Sequence, residues 1–461
     1  MLTITFLSLL GLVLLFLGFA GKVGLVKNLA ALGVLASLGI LLFANQDALV
    51  PTGMETQLLF DANSLKFSAL ILGFSVCIVM MSRSLVRKEN VQAAEFLSVM
   101  IFSLVGALML TAFTHMITLF VGLEILGISL YILAGTLKDS PSSNEAALKY
   151  LLMGAFATCL VLFGMAMLYG ATGSLDFKEI AAVGNQSVDS VLFKLGIFFL
   201  LIGVLFKVSA APFHFWSPDV YEGSPSIVML YMSVVVKIAS FAALFRIFGG
   251  YFHHLSYFWW DIVYYGCIAS LLVGNLLALV QKSIKRQLAF SSISHTGYLL
   301  FAILVVNNEA IAGGLVFYLF AYGSALLVAF SVMNSWFESS ENYQLDQLKG
   351  AAKADPVGAT VLALSFLSMA GIPLTGGFFA KISMFAPAMG DGLYHLLIVG
   401  IVSSVIGAAY YFKPIMNVWF STEEATIENA TDMKWVAMVG GLVILITGLF
   451  PDTLTSILAM I

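Results

Sequence analysis

Long apolar runs separated by short polar stretches dominate the pattern of this 461-residue chain. A transmembrane helix needs about 20 consecutive apolar residues. We therefore predict an all-α polytopic membrane protein with about 14 transmembrane helices. In chain order, spans one to fourteen are predicted at 3–20, 28–46, 64–82, 92–112, 113–137, 148–171, 190–217, 225–248, 258–281, 287–306, 309–337, 356–386, 392–420 and 433–457.

The lysines and arginines between the spans predict the orientation of the chain. Loops after odd-numbered spans hold twelve of these residues, whereas loops after even-numbered spans hold four. By the positive-inside rule, the odd-numbered loops face the cytoplasm. Both termini are therefore predicted on the outer side of the membrane.

Composition narrows the possible chemistry. Charged residues make up 10% of the chain and hydrophobic residues 61%, against about 25% and 45–50% in soluble domains. The three cysteines, Cys77, Cys159 and Cys267, stand alone, and the sequence shows no Cys/His cluster and no glycine-rich phosphate loop. We therefore expect no metal site and no cofactor in this chain, and the net charge of −4 gives no basis for nucleic-acid binding. Protons, ions or small solutes within the bilayer remain as the possible substrates of this chain.

Four charged residues lie near the centres of predicted spans. They are Glu124 in span five, Lys207 in span seven, Lys237 in span eight and Lys381 in span twelve. A charge at this depth costs about 2.5 to 3.5 kcal/mol even on the lower insertion scales. A structural ion pair is one interpretation of such a residue, but four central charges favour a buried polar axis with a function.

Four other polar residues within the spans leave alternatives open. Lys149 is predicted near the start of span six, where snorkelling to the interface competes with a functional role. His295, in the middle of span ten among serines and a threonine, suits a proton relay or hydrogen-bonded packing. The roles of His214 and of Lys413, in span thirteen, stay undecided.

Two spans carry helix-breaking residues beside a lysine. "LFKVSAAPFHFW" combines Lys207 with Pro212, and "AGIPLTGGFFAK" combines Pro373 and three glycines with Lys381. A proline in a helix interior costs about 3 kcal/mol and a glycine about 1 kcal/mol. We therefore predict unwound segments at 209–214 and 371–377.

The two interrupted spans predict an internal repeat. Spans seven and twelve are five apart and cross the membrane in opposite directions, as the broken helices of inverted repeats do in many transporters. We therefore predict two inverted five-helix units, at 92–248 and 258–420. Three N-terminal spans at 1–91 and one C-terminal span at 433–461 lie outside them.

These same motifs carry a family resemblance. The segment from Phe206 to Arg246, which begins "FKVSAAPFHFWSPDVYEG", resembles the seventh and eighth helices of the proton-pumping antiporter-like subunits of respiratory complex I. "GLE" in span five, "EAALKY" in span six, "FSSISHTGY" in span ten and "AGIPLTGGFFAK" fit the same family. Within it, "PFHFWSPDVYEG" is similar to the subunit N group of bacterial NADH:quinone oxidoreductase, the counterpart of mitochondrial subunit 2.

The resemblance implies a set of proton-path residues. It assigns this role to Glu124, Lys149, Lys207, Lys237 and Lys381, and it matches His295 to the helix-ten motif. It further implies a translocase subunit in the cell inner membrane, with other membrane subunits of complex I as partners. Quinone reduction elsewhere in the complex would supply the energy, and this chain would carry no NADH, flavin or quinone chemistry.

A relay follows from the chemistry of buried lysines. Desolvation disfavours the charged form of a lysine, whereas a nearby carboxylate favours it. We expect Glu124 to modulate Lys207 and expect protons to pass from Lys207 through Lys237 to Lys381 on the exit side.

Three other functions compete with this one. An Mrp-type sodium/proton antiporter subunit would share the fold and the lysines, but the "HFWSPDVYEG" motif argues against it. A stand-alone solute transporter would need recognition groups around a midplane pocket. A purely structural subunit would pump normally after loss of Lys237.

Overall fold

The computed structural model describes residues 2–19, 23–44, 49–50, 53–54, 56–88, 92–184, 190–305, 311–337, 343–423, 427 and 434–459. Apart from isolated bridges, all regular secondary structure in these ranges is helical. Ten of the helices described are long and apolar enough to cross a membrane. The all-α membrane class predicted from the sequence is therefore confirmed.

The helices are, in chain order, α1 Leu2–Phe19, α2 Val23–Phe43, α3 Ala62–Lys88, α4 Ala93–Ala112, α5 Met116–Ala134, α6 Pro141–Thr172, α7 Phe177–Gly184, α8 Val191–Lys207, α9 Trp216–Gly223, α10 Ser226–Tyr251, α11 Trp260–Leu279, α12 Ile284–Leu304, α13 Ile311–Trp336, α14 Ala351–Ala354, α15 Pro356–Ala370, α16 Gly376–Gly390, α17 Tyr394–Phe420, α18 Lys434–Leu449 and α19 Pro451–Ala459. Short 3-10 turns lie at His253–Phe258 and Leu345–Leu348.

The ten long helices coincide with predicted spans two to six, eight to eleven and thirteen. Spans one and fourteen correspond to the shorter apolar helices α1 and α18. Spans seven and twelve are each divided between two helices, α8 with α9 and α15 with α16.

Helix α6 begins seven residues before the predicted start of span six. Ser140 caps it by accepting a hydrogen bond from the amide of Ser143, and Pro141 occupies the first turn. Both residue types favour a helix start at these positions. Lys149 therefore lies two turns inside the helix and is still nearer to its start than to its end.

Helix α12 likewise begins earlier than predicted, at Ile284. The Ser283 side chain caps it by accepting from the amide of Arg286. Lys285 and Arg286 therefore belong to the first turn of the helix, whereas the charge pattern had assigned both to a loop. Lys285 is buried there, and its ammonium donates to the carbonyl of Ser224 at 2.9 Å.

The centre of the bundle is formed by α10, α12 and α13, whose side chains are almost all buried. Helices α6 and α17 lie at the periphery, where Phe156 and Val405 are 68% and 69% exposed. In α10, π-helical turns at Met232–Val236 and Phe245–Tyr251 flank an α-helical segment that begins at Lys237. Such turns within α-helices are frequent at functional sites.

The first predicted interruption lies between α8 and α9. Ser209 has a φ of 58°, and the Ala211–Pro212 peptide bond is cis. The Ala211 amide donates to Ser270 Oγ on α11 at 2.8 Å, and the Val208 carbonyl accepts from Thr296 Oγ1 on α12 at 2.8 Å. Neighbouring helices thus satisfy the backbone groups that the break releases, as membrane burial requires.

The second interruption lies between α15 and α16 and is shorter than predicted, since α16 already begins at Gly376. Gly371 ends α15 in the left-handed region, with a φ of 82°, and its amide bonds back to the Leu367 carbonyl at 3.1 Å. Glycine adopts this backbone conformation without the steric cost that other residues incur. Leu374 also has a positive φ, of 74°.

Candidate functional site

Three lysines and a histidine from four central elements are buried inside the bundle. The exposed fractions are 8% for Lys207 on α8, 3% for Lys237 on α10, 6% for Lys381 on α16 and 4% for His295 on α12. None of the four faces the lipid.

Lys237 lies against a polar face of α12. Its ammonium donates to the Ser292 carbonyl at 2.6 Å, to Ser292 Oγ at 2.5 Å and to Thr296 Oγ1 at 3.1 Å. It also lies 5.3 Å from the centre of the Tyr322 ring. Three oxygen acceptors and a ring face can hold a charged ammonium without a carboxylate.

A single hydroxyl connects Lys237 to the first helix break. Thr296 Oγ1, which accepts from Lys237, donates to the carbonyl of Val208. Val208 directly follows Lys207 in the chain. Thr296 therefore bridges the neighbourhoods of the two lysines.

His295 directly precedes Thr296 on the same helix and has hydroxyl partners of its own. Its Nδ1 lies 2.7 Å from the Tyr318 hydroxyl and its Nε2 lies 3.0 Å from the Tyr411 hydroxyl. Tyr411 in turn bonds to Ser291. Both ring nitrogens thus have hydroxyl partners, an arrangement in which a proton can enter at one nitrogen and leave at the other.

Lys381 is held at the second helix break. Its ammonium donates to the Ala370 carbonyl at 2.6 Å and to Ser404 Oγ on α17 at 2.7 Å, and it lies 5.0 Å from the centre of the Tyr298 ring. Ala370 is the last residue of α15, so its carbonyl has no acceptor role within the helix ladder. The break therefore supplies an oxygen ligand for the lysine.

Glu124 and Lys207 lie near the same turn of α5 but form no direct ion pair. The half-buried Glu124 carboxylate accepts from Thr158 Oγ1 at 2.8 Å. The Lys207 ammonium lies beside Gly127 and 5.8 Å from the centre of the Tyr131 ring. The Tyr131 hydroxyl is buried without a hydrogen-bond partner. Gly127 lies one turn after Glu124 on α5, so the Lys207 ammonium lies close to the part of the helix that carries the carboxylate.

Lys149 lies apart from the buried axis, in a half-exposed cluster of ion pairs. Its ammonium pairs with Glu145 at 2.7 Å and with Asp219 at 2.8 Å. Asp219 also pairs with Arg286 at 2.8 Å, which pairs with Glu222 at the same distance. The cluster therefore joins α6, α9 and α12.

The two undecided residues lie in different settings. His214 is buried in the first break, its Nδ1 has no hydrogen-bond partner, and its ring stacks on Phe215 at 4.6 Å. Lys413 is exposed on α17. Within the described residues, no group of three or more His, Cys, Asp or Glu side chains has the arrangement of a metal site.

The sequence reasoning missed the groups that connect the charged residues. The serine and threonine that bind Lys237 lie at positions 292 and 296 of the "FSSISHTGY" motif, so helical spacing could have found them. Asp219 and Glu222 lie within "PFHFWSPDVYEG", which was used only as a family signature. The tyrosines around His295 gave no signal, because an aromatic residue in an apolar helix resembles a packing residue.

A substitution at the second break tests whether the break positions Lys381. A methyl group on Gly371 would lie 2.8 Å from Lys381 Cδ and 2.9 Å from Lys381 Nζ, in a backbone conformation that costs an L-residue about 1 to 2 kcal/mol. We expect Gly371→Ala to slow proton pumping by about tenfold, equivalent to about 1.4 kcal/mol. The proton-pumping rate is measured on the assembled complex reconstituted in vesicles.

Gly73→Ala is the matched control, since Gly73 lies inside α3 with no atom within 4 Å of the added methyl. Equal pumping in the two variants would show that the break does not position Lys381.

Broken helices beside buried charged residues in an all-helical bundle are typical of membrane transport proteins. Residues 113–407 match the transmembrane family described as NADH:quinone oxidoreductase/Mrp antiporter. NADH-quinone oxidoreductase subunit N of Flavobacterium psychrophilum is 36% identical over 405 residues, which are 88% of this chain and 89% of that protein.

Solved structures agree with the sequence comparison. A chain of respiratory complex I from Thermus thermophilus, solved with bound aureothin, is 31% identical with a TM-score of 0.83 and full coverage of both chains. A chain of the Mrp complex from a Dietzia species shares the fold, with a TM-score of 0.79 at 19% identity over 100% of this chain and 97% of that one.

The chain therefore belongs to the NADH:quinone oxidoreductase/Mrp antiporter family, and within it to the group of NADH-quinone oxidoreductase N subunits. The family predicted from the motifs is confirmed, and the complex I branch is better supported than the Mrp alternative.

Proposed function

We propose that this chain is a proton-translocating subunit in the membrane arm of NADH:quinone oxidoreductase, driven by quinone reduction in other subunits. The observation that carries the proposal is the set of buried lysines around His295, in which Lys237, Lys381 and His295 are each held by hydroxyl or carbonyl oxygens. Buried ionisable groups in membrane proteins are costly and mark ion or proton pathways.

The path runs along α12. A proton on Lys207 reaches Lys237 through the break and Thr296, which contacts both neighbourhoods. From Lys237 it passes to His295, whose ring shares a contact with Lys237, because both lie against the Tyr322 ring. Lys381 releases it on the exit side, and Glu124 sets the occupancy of Lys207.

The helix neighbours support two inverted units within a 14-span chain. In the first unit α4 packs on α5, α6 on α8, and α4 on α10. In the second unit α11 packs on α12, α13 on both α15 and α16, and α11 on α17. These are the same pairs of positions in each set of five spans. The units comprise residues 92–248 and 258–420.

The same proposal gives the location and the partners of this chain. The subunit resides in the cell inner membrane with both termini on the outer side, in keeping with the excess of basic residues in odd-numbered loops. It contacts other membrane subunits of the complex, contributes to a translocase and carries no redox cofactor of its own.

Co-purification from native membranes tests the assignment. We expect mass spectrometry to identify the peripheral and membrane subunits of NADH:quinone oxidoreductase with this chain, and the reconstituted complex to pump protons at equal rates with and without sodium. Recovery with Mrp partners, or proton movement that requires sodium, would replace the proposal with the antiporter alternative.

A further inference from the structure

An aromatic cluster separates Lys207 from the charged cluster around Lys149. The Tyr150 ring stacks on Trp216 with centroids 4.6 Å apart and an interplanar angle of 6°. It also meets Tyr131 edge-on at 4.8 Å. Tyr131 is the ring beside the Lys207 ammonium. The three rings are 1% to 8% exposed and form a continuous layer.

Two of these rings are attached directly to the ion pairs. Tyr150 follows Lys149 in α6, and Trp216 lies one turn before Asp219 in α9. The Trp216 indole also donates to the Phe206 carbonyl at 3.0 Å, next to Lys207. The Lys149–Asp219 pair thus fixes the distance between the two helices that supply the stacked rings.

We propose that Tyr131, Tyr150 and Trp216 form a gate between the cytoplasm and Lys207, and that the Lys149–Asp219 ion pair holds this gate closed. The inference rests on the proposed function for its orientation, since the charged cluster lies at the end of the bundle predicted to face the cytoplasm. Apolar constrictions block water and protons by dewetting. Opening requires α6 and α9 to separate, which breaks the stack and the ion pair together.

Arg286 gives the latch a second position. Asp219 is shared between Lys149 on α6 and Arg286 on α12, the helix that carries Thr296 and His295. A shift of Asp219 toward Arg286 releases Lys149 and opens the entrance. Through its two ion pairs, Asp219 therefore links α6, at the entrance of the first unit, to α12, which carries the proposed proton path into the second unit.

Cysteine accessibility in the assembled complex tests the gate. The reporter is Thr158→Cys, two turns beyond Tyr150 beside Glu124, in a chain whose native cysteines are replaced by alanine. A small membrane-impermeant methanethiosulfonate is applied from the cytoplasmic side, and mass spectrometry of this subunit gives the labelling rate. We expect Trp216→Ala to raise that rate by about tenfold, the factor that loss of a strong aromatic pair provides.

The latch has its own matched pair of variants. Asp219→Asn removes the partner of Lys149 and is expected to raise labelling about two- to fivefold, the range for an exposed ion pair. Glu145→Gln removes the partner that Lys149 has on its own helix, keeps the pair between α6 and α9 and is expected to leave labelling unchanged. Phe156→Ala, at an exposed ring on α6, controls for loss of an aromatic side chain.

Fast labelling of Thr158→Cys in a complex whose three gate residues are intact would overturn the gate. An unchanged labelling rate in a Trp216→Ala complex that assembles would also overturn it. Equal rates in Asp219→Asn and Glu145→Gln would overturn the latch. If Trp216→Ala does not assemble, the comparison of these two latch variants decides. Labelling is measured without turnover, so a complex that fails to pump but labels as expected would refute the proposed function and keep the gate.

Discussion

Lys237→Arg is expected to leave the complex assembled and to slow proton transfer by about 100-fold or more, the contribution typical of a positioned proton donor or acceptor. Arginine keeps the positive charge but stays protonated at physiological pH, so it cannot release a proton. Lys237 is the central group of the proposed path, because its three oxygen contacts lie on α12, the helix that carries His295 and that contacts the first break through Thr296. The proton-pumping rate and the NADH oxidation rate of reconstituted complex give the measurement.

Lys285→Arg is the matched control for this experiment. Lys285 is also a buried lysine that donates to a backbone carbonyl and lies 5.5 Å from the centre of a tyrosine ring, that of Tyr343. The proposed relay does not use it, so its variant should pump at close to the native rate. Native pumping in Lys237→Arg would exclude proton exchange at this lysine and would leave a structural role.

Glu124→Gln and Lys207→Ala are each expected to slow pumping, and the double variant is expected to cost less than the sum of the two in free energy. Groups that interact show coupling energies of about 0.5 to 3 kcal/mol in such cycles. No direct ion pair joins the two side chains, so the coupling is expected to act through space across the pocket that Thr158 and Tyr131 line.

Two further variants separate charge from geometry at this site. Thr158→Val removes the hydrogen bond to Glu124 and keeps its charge, so its effect should be smaller than that of Glu124→Gln. Lys207→Arg keeps a cation and prevents proton release. Strict additivity in the double variant would contradict the coupling, and full activity in Lys207→Arg would move the path to Lys237 and Lys381 alone.

Residues whose burial in a membrane costs free energy could be identified from the sequence. A lysine at bilayer depth or a proline inside a span needs compensation, so Lys207, Lys237, Lys381 and both helix breaks could be predicted from residue type alone. The long apolar runs likewise predicted the helices to within a few residues at most ends.

The compensating groups could not be predicted in the same way. Tyr318 and Tyr411 acquire their role only because α13 and α17 pack on either side of His295. Carbonyl ligands such as that of Ala370 belong to the backbone and depend on where a helix ends. The starts of α6 and α12 were misplaced because a serine cap extends each helix into a polar segment that the apolar pattern excludes.

The carbonyl of Ala370 also gives Lys381 an electrostatic environment that Lys207 lacks. A helix C-terminus carries a partial negative charge of about half a unit, which cannot be neutralised by a proton. Lys381 therefore has a permanent counter-charge, and α12 offers it no acidic residue. Lys207 lies near the Glu124 carboxylate instead, which is held by the Thr158 hydroxyl and not by the end of a helix. Under the proposed function, the counter-charge of Lys381 is therefore a fixed part of the backbone, whereas that of Lys207 depends on the position of a side chain.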